Sequence, residues 1–192
     1  MIQIIAVAVA GGVLYKGGKY IYNNFINNKN IIFVGEPMAG KTTIFKIVTK
    51  KFKDIKDKHE VTNVLEEGKY ENLHFKDYGG SKAQRDTRNE LFDNLSDGDY
   101  VVYVFNSSEY NKEEKIKFGI NFWKKCIDEE KNKGKKINYI IIGTRADETK
   151  KDIINDIKQN ISNAKVEIFE LLGDKTDTYY KKIRKELVGL FE

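Results

Sequence analysis

Short apolar runs alternate with longer amphipathic segments from about residue 30 to the end of the chain. Runs rich in β-branched and aromatic residues predict strands, and apolar residues at every third or fourth position predict helices. The predicted strands are Ile31–Val34, Val61–Leu65, Asn72–Lys76, Tyr100–Asn106, Asn138–Gly143 and Val166–Leu171. The predicted helices are Thr42–Phe52, Glu113–Asn132, a segment that aligns Ile153, Ile157 and Ile161, and Asp177–Phe191.

The order of these elements predicts an α/β fold. The second and third strands are close enough to form a hairpin, with its turn expected at Glu67-Gly68. The other strands alternate with helices, which is typical of a doubly wound, mostly parallel sheet covered on both faces, here with one antiparallel edge hairpin. Ligands bind such sheets at the carboxyl ends of the strands. We therefore expect functional residues in the loops that follow the strands.

The N-terminal segment differs from the rest of the chain because Ile2–Tyr15 carries no charge and is followed by Lys16 and Lys19. Continued through Tyr22, with the lysines reaching the interface, it approaches the roughly 20 residues that cross a bilayer. We expect residues 1–29 to be an anchor and linker, and residues 30–192 to be a domain on the cytoplasmic side of a membrane. A hydrophobic helix packed on the domain, an oligomer contact and a cleaved signal peptide are the alternatives.

Composition and charge narrow the possible functions. A chain of 192 residues with 40% hydrophobic and 33% charged residues suits one globular domain and a short appendage. The single cysteine, Cys126, excludes an intramolecular disulfide. Three of the five net positive charges flank the apolar run, and no arginine-rich or aromatic-interleaved basic patch stands out in the domain. We therefore expect no nucleic acid as a partner.

A phosphate-binding motif follows the first predicted strand and precedes the first predicted helix. GEPMAGKT matches G-x-x-x-x-G-K-[ST], in which glycines let main-chain N–H groups surround a phosphate at a helix N-terminus. Lys41 is expected to reach the β- and γ-phosphates, and the Thr42 hydroxyl to bind Mg²⁺. The candidate nucleotide-binding residues of this P-loop are Gly35, Glu36, Pro37, Met38, Ala39, Gly40, Lys41, Thr42 and Thr43.

Two further segments are candidates for the phosphate and metal site. Asp77 ends a predicted strand 36 residues after Lys41 and begins the sequence DYGG. Asp77 is expected to hold Mg²⁺, and Gly80 is expected to offer its N–H to the γ-phosphate. An ordinary aspartate-glycine turn is the alternative. Thr62 is the one Ser or Thr between Thr49 and Ser81, and it is expected to bind Mg²⁺. It could instead be a surface threonine at the start of an edge strand.

A base-recognition motif follows the strand Asn138–Gly143. The carboxylate of Asp147, in Thr144-Arg145-Ala146-Asp147, can accept hydrogen bonds from N1 and the exocyclic amine of guanine, a donor pair that adenine lacks. Arg145 can lie along the purine face. The alternative is a helix N-terminus, because Asp147 and Glu148 also suit a first helical turn.

The P-loop, the DYGG sequence and the motif Thr144-Arg145-Ala146-Asp147, in this order, resemble the motifs of small GTPases. The resemblance covers residues 31–191. The Asp-x-Gly-Gly form and residues 77–109 are most similar to the ADP-ribosylation-factor branch and to the β subunit of the signal-recognition-particle receptor, which also has an N-terminal membrane anchor. The Thr-Arg-x-Asp form differs from the common Asn-Lys-x-Asp and is similar to forms in Rho-type and immunity-associated GTPases. The resemblance implies GTP or GDP with Mg²⁺, and a protein partner that binds the switch loops.

The residue expected to orient the attacking water differs from the family's glutamine. Ser81 occupies that position, and its side chain is shorter than that of glutamine. The intrinsic hydrolysis of GTP to GDP and phosphate is therefore expected to be slow. The catalytic candidates of this GTPase are Lys41, Gly80 and Ser81. A GTP-binding scaffold subunit of a membrane complex, without hydrolysis, is the second hypothesis. An ATP-using kinase or ATPase is a third, and Asp147 argues against it. The base-capping motif expected near Leu171 is not recognisable.

Overall fold

The computed structural model describes residues 28–55, 65–78, 88–161, 164–171 and 176–192. Three of the predicted site residues, Thr62, Gly80 and Ser81, lie outside these ranges, as does the apolar N-terminal run. For residues 88 and 89 the backbone alone is described. Among the helices within these ranges, none is both long and apolar enough to cross a membrane.

The described residues form a six-stranded sheet in the order β2-β3-β1-β4-β5-β6. β2 and β3 pair antiparallel at one edge, and every other neighbouring pair is parallel. This arrangement confirms the predicted mostly parallel sheet with one antiparallel edge hairpin. The strands are β1 (Lys29–Gly35), β2 (Glu66–Tyr70), β3 (Leu73–Asp77), β4 (Tyr100–Asn106), β5 (Asn138–Thr144) and β6 (Lys165–Ile168).

Helices cover both faces of the sheet, because successive side chains of a strand point to opposite faces and both sets are apolar here. Ile31 and Phe33 of β1 belong to one buried cluster, and Ile32 and Val34 to the other. The first cluster contains residues of α1 and α5, and the second contains residues of α2, α3 and α4. The helices are α1 (Lys41–Val48), α2 (Arg88–Asp93), α3 (Glu114–Asn132), α4 (Lys151–Asn160) and α5 (Asp177–Val188).

The hairpin turn is not where the sequence predicted it. It lies at residues 71–72, where Glu71 adopts a left-handed conformation with φ 54°, and Gly68 is inside β2. A Cβ at Gly68 would lie 2.6 Å from Cγ2 of Thr49, so this glycine allows α1 to approach the strand closely. A strand was predicted at Val61–Leu65. Leu65 lies just before β2, and residues 61–64 lie outside the described ranges.

Several predicted elements end early. The helix predicted to reach Phe52 ends at Val48, because Lys50 takes a left-handed conformation with φ 63°, and Phe52 begins a separate 3-10 turn. The last strand ends at Ile168, where the chain turns toward the candidate base site, and α5 ends at Val188. The short helix α2 was not predicted.

Candidate functional site

The P-loop joins the end of β1 to the start of α1 and depends on two glycines. Gly35 has φ 130°, and a Cβ there would lie 2.0 Å from the main-chain oxygen of Val104 in β4. Gly40, the residue before α1, has φ 92°, and its Cβ would lie 3.1 Å from Cγ2 of Thr144. A larger residue would strain the backbone at either position. At position 35 it would also collide with Val104, and at position 40 the Thr144 side chain would have to shift slightly. The motif glycines therefore set both the loop conformation and its closeness to β4 and β5.

Lys41 extends its side chain back over the loop from the first turn of α1. Its ammonium donates to the main-chain oxygens of Gly35, at 3.0 Å, and Glu36, at 2.7 Å. Burial lowers the pKa of Lys41, while the nearby carboxylates of Asp77 and Glu36 act in the opposite direction. A buried cation at this position is suited to bind phosphate oxygens.

Thr42 and Asp77, two residues of the expected metal site, meet beside the P-loop. The Thr42 hydroxyl donates to Oδ2 of Asp77 at 2.6 Å. Asp77 is fully buried, and its second oxygen, Oδ1, has no hydrogen-bond partner among the described residues. Burial raises the pKa of Asp77, although the Thr42 hydrogen bond and Lys41 lower it.

A buried carboxylate oxygen without a partner, beside a hydroxyl, fits a divalent cation with oxygen ligands. Within the described ranges there is no cluster of three or more His, Cys, Asp or Glu side chains that could hold a metal. A cation held by Thr42 and Asp77 would therefore take its other ligands from phosphate and water, as Mg²⁺ does in nucleotide sites. The chemistry of the residues thus fits Mg²⁺.

The candidate base site is a cavity of about 120 Å³ lined in part by the P-loop and the first turn of α1. Asp147 lies in a 3-10 turn, Ala146–Glu148, with its side chain exposed toward this cavity. Arg145 has a left-handed backbone, φ 59°, and its guanidinium contacts both carboxylate oxygens of Glu148 at 3.1 Å. The lining residues are Met38, Gly40, Thr43, Thr144, Arg145, Asp147, Glu148 and Leu171.

Buried hydroxyl groups support the loop that carries Asp147. Ser107, just after β4, donates to the main-chain oxygen of Thr144 and lies 2.7 Å from the hydroxyl of Thr149. Thr149 in turn contacts the main-chain oxygen of Arg145 at 2.8 Å. Sequence reasoning missed both hydroxyls, and the position of Ser107 at the carboxyl end of a central strand was the available signal.

The last strand also supports this loop. Phe169 continues the ladder by donating its N–H to Gly143 at 2.8 Å, and its carbonyl accepts from the N–H of Ala146 at 3.2 Å. The segment after β6 therefore turns across the Asp147 loop and brings Leu171 into the cavity. Leu171 is where the base-capping segment was expected, and the residues immediately after it lie outside the described ranges.

Comparison with known proteins identifies the family. Residues 30–145 match the family model described as 50S ribosome-binding GTPase, which spans more than half of the chain. The chain belongs to this GTPase family. The matched residues include the P-loop of the GTPase, Asp77 and the start of the Thr144-Arg145 loop. No curated protein matches the GTPase at the sequence level.

A solved structure shares the fold of this GTPase. It is the Arl6 BBS3 small GTPase from Trypanosoma brucei with bound nucleotide analogue GppNp, which aligns with a TM-score of 0.54 and 18% identity. The alignment covers 85% of the present chain and 99% of the other. At this identity the comparison shows the fold, which is that of a small GTPase. The shared fold agrees with the resemblance to the ADP-ribosylation-factor branch that was predicted from the sequence.

Proposed function

We propose that the chain is a membrane-tethered GTP-binding protein that acts as a Mg²⁺-dependent GTP/GDP switch with slow intrinsic hydrolysis. The observation that carries this proposal is the placement of two sites on one P-loop. The Lys41 ammonium and the Thr42–Asp77 pair form one site, and the neighbouring residues Gly40 and Thr43 line the cavity of Asp147. A nucleotide with a guanine base and Mg²⁺-bound phosphates suits this arrangement.

Each residue of the proposed site has its own role in nucleotide binding or phosphoryl transfer. Lys41 donates to phosphate oxygens in exchange for its present partners, the carbonyls of Gly35 and Glu36. Thr42 and Asp77 would hold Mg²⁺, which would supply positive charge to offset the negative charge that develops on the phosphate oxygens. Gly80 offers an N–H to the γ-phosphate. Asp147 selects guanine by accepting from its donor pair.

Slow hydrolysis follows from the residue that stands in place of the family's glutamine. A glutamine side chain reaches the attacking water with its amide, whereas the Ser81 hydroxyl is too short to do so from the same backbone position. A partner that binds the switch loops, around Thr62 and Gly80, would supply the missing group. The second candidate, a scaffold that keeps GTP without hydrolysing it, is favoured by the same serine.

Nucleotide content decides between these functions. The full-length protein is purified without added nucleotide, denatured, and its nucleotide separated by chromatography, followed by a single-turnover assay with GTP. Bound GDP with slow turnover supports the switch. Retained GTP without turnover supports the scaffold, and bound ATP contradicts both.

The proposed tether is the uncharged run Ile2–Tyr15 with the lysines that follow it. In this proposal it crosses the bilayer once and leaves the GTPase domain on the cytoplasmic side. Flotation of the full-length protein with lipid vesicles, resistant to high salt and alkaline carbonate, would support insertion. Recovery in the soluble fraction would contradict it.

A further inference from the structure

A lysine-rich loop joins the end of α3 to β5. Residues 131–136 read KNKGKK, with four lysines and no acidic residue. Lys131, Lys133 and Lys136 are exposed. The loop precedes a parallel strand, so it lies at the edge where the parallel strands begin, which we call the amino edge. The candidate nucleotide site lies at the opposite edge, where these strands end, and it uses none of these lysines.

The lysine-rich loop is held in place by its neighbours. The main-chain N–H of Lys136 donates to Oδ1 of Asp97 at 2.9 Å, and the Lys136 carbonyl accepts from the N–H of Gly98 at 2.8 Å. The Lys135 ammonium donates to the main-chain oxygen of Phe92 at 2.6 Å. The exposed lysines therefore extend from an ordered main chain, and less conformational entropy is lost when they bind a ligand.

Two carboxylates offset part of the charge of this loop. Glu130, near the end of α3, lies 2.6 Å from the ammonium of Lys133 and 3.6 Å from that of Lys135. The second carboxylate is that of Asp97, which accepts from the loop main chain. The Lys133 side chain remains 68% exposed despite its salt bridge. Four lysines against two carboxylates leave an excess of positive charge at the amino edge.

The loop lies close to the point where the chain enters the domain. Asn30, the second residue of β1, donates through its main-chain N–H and its side-chain amide to the carboxylate of Asp99, at 2.7 and 2.9 Å. The main-chain oxygen of Asp99 accepts from the N–H of Asn138 at 2.8 Å. Asn138 begins β5, two residues after the loop. The start of β1 and the lysine-rich loop are therefore neighbours at the amino edge.

An open hollow of about 640 Å³ lies at the same edge. Lys131 and Lys165 line it together with Tyr100, and the Lys29 ammonium lies 5.5 Å from the centre of the Tyr100 ring. Glu192 also lines the hollow, and its carboxylate offsets one of these charges. The hollow thus extends from the lysine-rich loop to the first residue of β1, with lysines along its wall.

We propose that the amino edge, through the lysine-rich loop, binds the anionic headgroups of the membrane to which the chain is tethered. This inference rests on the tether of the proposed function. Residues 23–28 separate the expected crossing segment from β1 and reach at most about 20 Å when fully extended, so the amino edge stays near the bilayer. Lysines within a Debye length of an anionic surface, about 8 Å at physiological salt, are attracted to it.

The consequence is a fixed orientation of the domain. β1 spans seven residues, or about 23 Å, between the amino edge and the P-loop. With the amino edge on the membrane, the candidate nucleotide site faces the cytoplasm. The excess charge of the loop is small, so it orients a tethered domain and does not hold an untethered one on the membrane.

The test measures the reactivity of individual lysines in the full-length protein inserted into lipid vesicles. Vesicles of phosphatidylcholine are compared with vesicles that also contain phosphatidylserine, and acetylation by a membrane-impermeant reagent is quantified by mass spectrometry. Lys131 and Lys136 should react about threefold more slowly with phosphatidylserine present, and high salt should abolish the difference. The matched controls are Lys150 and Lys151, which are exposed at the start of α4 near the opposite edge and should react equally in both vesicles.

A pair of variants separates attraction by the loop from proximity to the membrane. In Lys131→Gln/Lys136→Gln, the exposed Lys165 on the wall of the hollow should regain the reactivity that it has in phosphatidylcholine vesicles. Lys150→Gln/Lys151→Gln removes the same charge elsewhere and should leave Lys165 protected. Protection of Lys165 that persists in the first variant would overturn the assignment to the loop.

The remaining outcomes distinguish this inference from the tether. Equal reactivity of Lys131 and Lys136 in both kinds of vesicle, in protein that has inserted, would overturn the inference while the tether stands. Equal slowing at Lys150 and Lys151 would also overturn it, because the lipid charge would then act on the whole domain. Protection by added polyuridylate and not by phosphatidylserine would assign the loop to nucleic acid instead. Protein that inserts into neither kind of vesicle would contradict the tether together with the inference.

Discussion

The hydroxyl of Thr144 lies 3.0 Å from the main-chain oxygen of Ala39 and joins the end of β5 to the P-loop across 105 positions of the chain. The same hydroxyl lies 3.2 Å from the main-chain oxygen of Phe105, at the end of β4. Threonine stands here in place of the asparagine that is common in the family. The Thr144 hydroxyl itself contacts the P-loop, so one buried side chain connects the candidate phosphate and base sites.

Removing this hydroxyl should weaken nucleotide binding. Thr144→Val keeps the shape of the side chain but removes the one hydroxyl proton that two buried carbonyls share, which costs about 1–2 kcal/mol. We expect the free energy of unfolding to fall by that amount and GDP affinity to fall about tenfold. Denaturant unfolding and calorimetric titration measure the two effects. Thr144→Ser keeps the donor and should bind GDP nearly as well as the unmodified protein.

Base selection should depend on the carboxylate of Asp147. Asp147→Asn should shift the preference from guanine toward xanthine nucleotides, because xanthine offers an acceptor at the 2-position in place of the amine. Competition between GDP and XDP measures the shift. Glu148→Gln, a change on the same cavity wall, is the control and should keep the GDP preference. An unchanged preference in Asp147→Asn would remove Asp147 from base recognition.

Mg²⁺ should tighten nucleotide binding through Asp77. In the unmodified protein, chelation of Mg²⁺ should speed GDP release, since Thr42 and Asp77 would hold the cation and its positive charge would stabilise the bound phosphates. Asp77→Asn removes the charge from the buried pair and should make release nearly independent of Mg²⁺. Stopped-flow release of a fluorescent GDP analogue, with and without chelator, measures this. Mg²⁺-dependent release that persists unchanged in Asp77→Asn would place the metal elsewhere.

Hydrolysis should respond to position 81 and not to position 84. Ser81→Gln restores a side chain long enough to orient the attacking water and should raise intrinsic GTP hydrolysis. Gln84→Ala should leave the rate nearly unchanged, because Gln84 lies three positions further along the chain. Single-turnover assays measure both rates. Fast hydrolysis by the unmodified protein that Gln84→Ala abolishes would show that the water-orienting role was assigned to the wrong residue.

The GTPase domain should fold without the apolar segment. Because β1 begins at Lys29, whose ammonium donates to the main-chain oxygen of Phe191 at 2.8 Å, the truncation should remove residues 1–27 and keep this contact. The shortened protein should remain soluble, bind GDP and no longer float with lipid vesicles. Insoluble or unfolded product would show that the segment belongs to the domain core, and continued flotation would contradict the tether.

The parts of the site that follow from local pattern were predicted from the sequence. Strand β4 was predicted at its observed bounds, since a run of apolar β-branched and aromatic residues marks a buried parallel strand. Lys41 and Thr42 were placed because the P-loop motif is continuous in sequence and needs a strand before it and a helix after it. Asp77 was placed because it follows a predicted strand, lies 36 residues after Lys41 and begins the sequence DYGG.

The sequence by itself determined the fold class, the edge of the sheet that carries the candidate site, and the residues of the P-loop motif. The tertiary structure alone decided the close approaches between distant segments. Gly68 is a packing position and not a turn because α1 crosses it, and Gly119 leaves the space through which Tyr103 reaches Glu36. Ser107 and Thr149 support the base loop from positions 42 residues apart. Periodicity records which way a side chain faces within its own element, whereas these contacts depend on how the packed elements are positioned against one another.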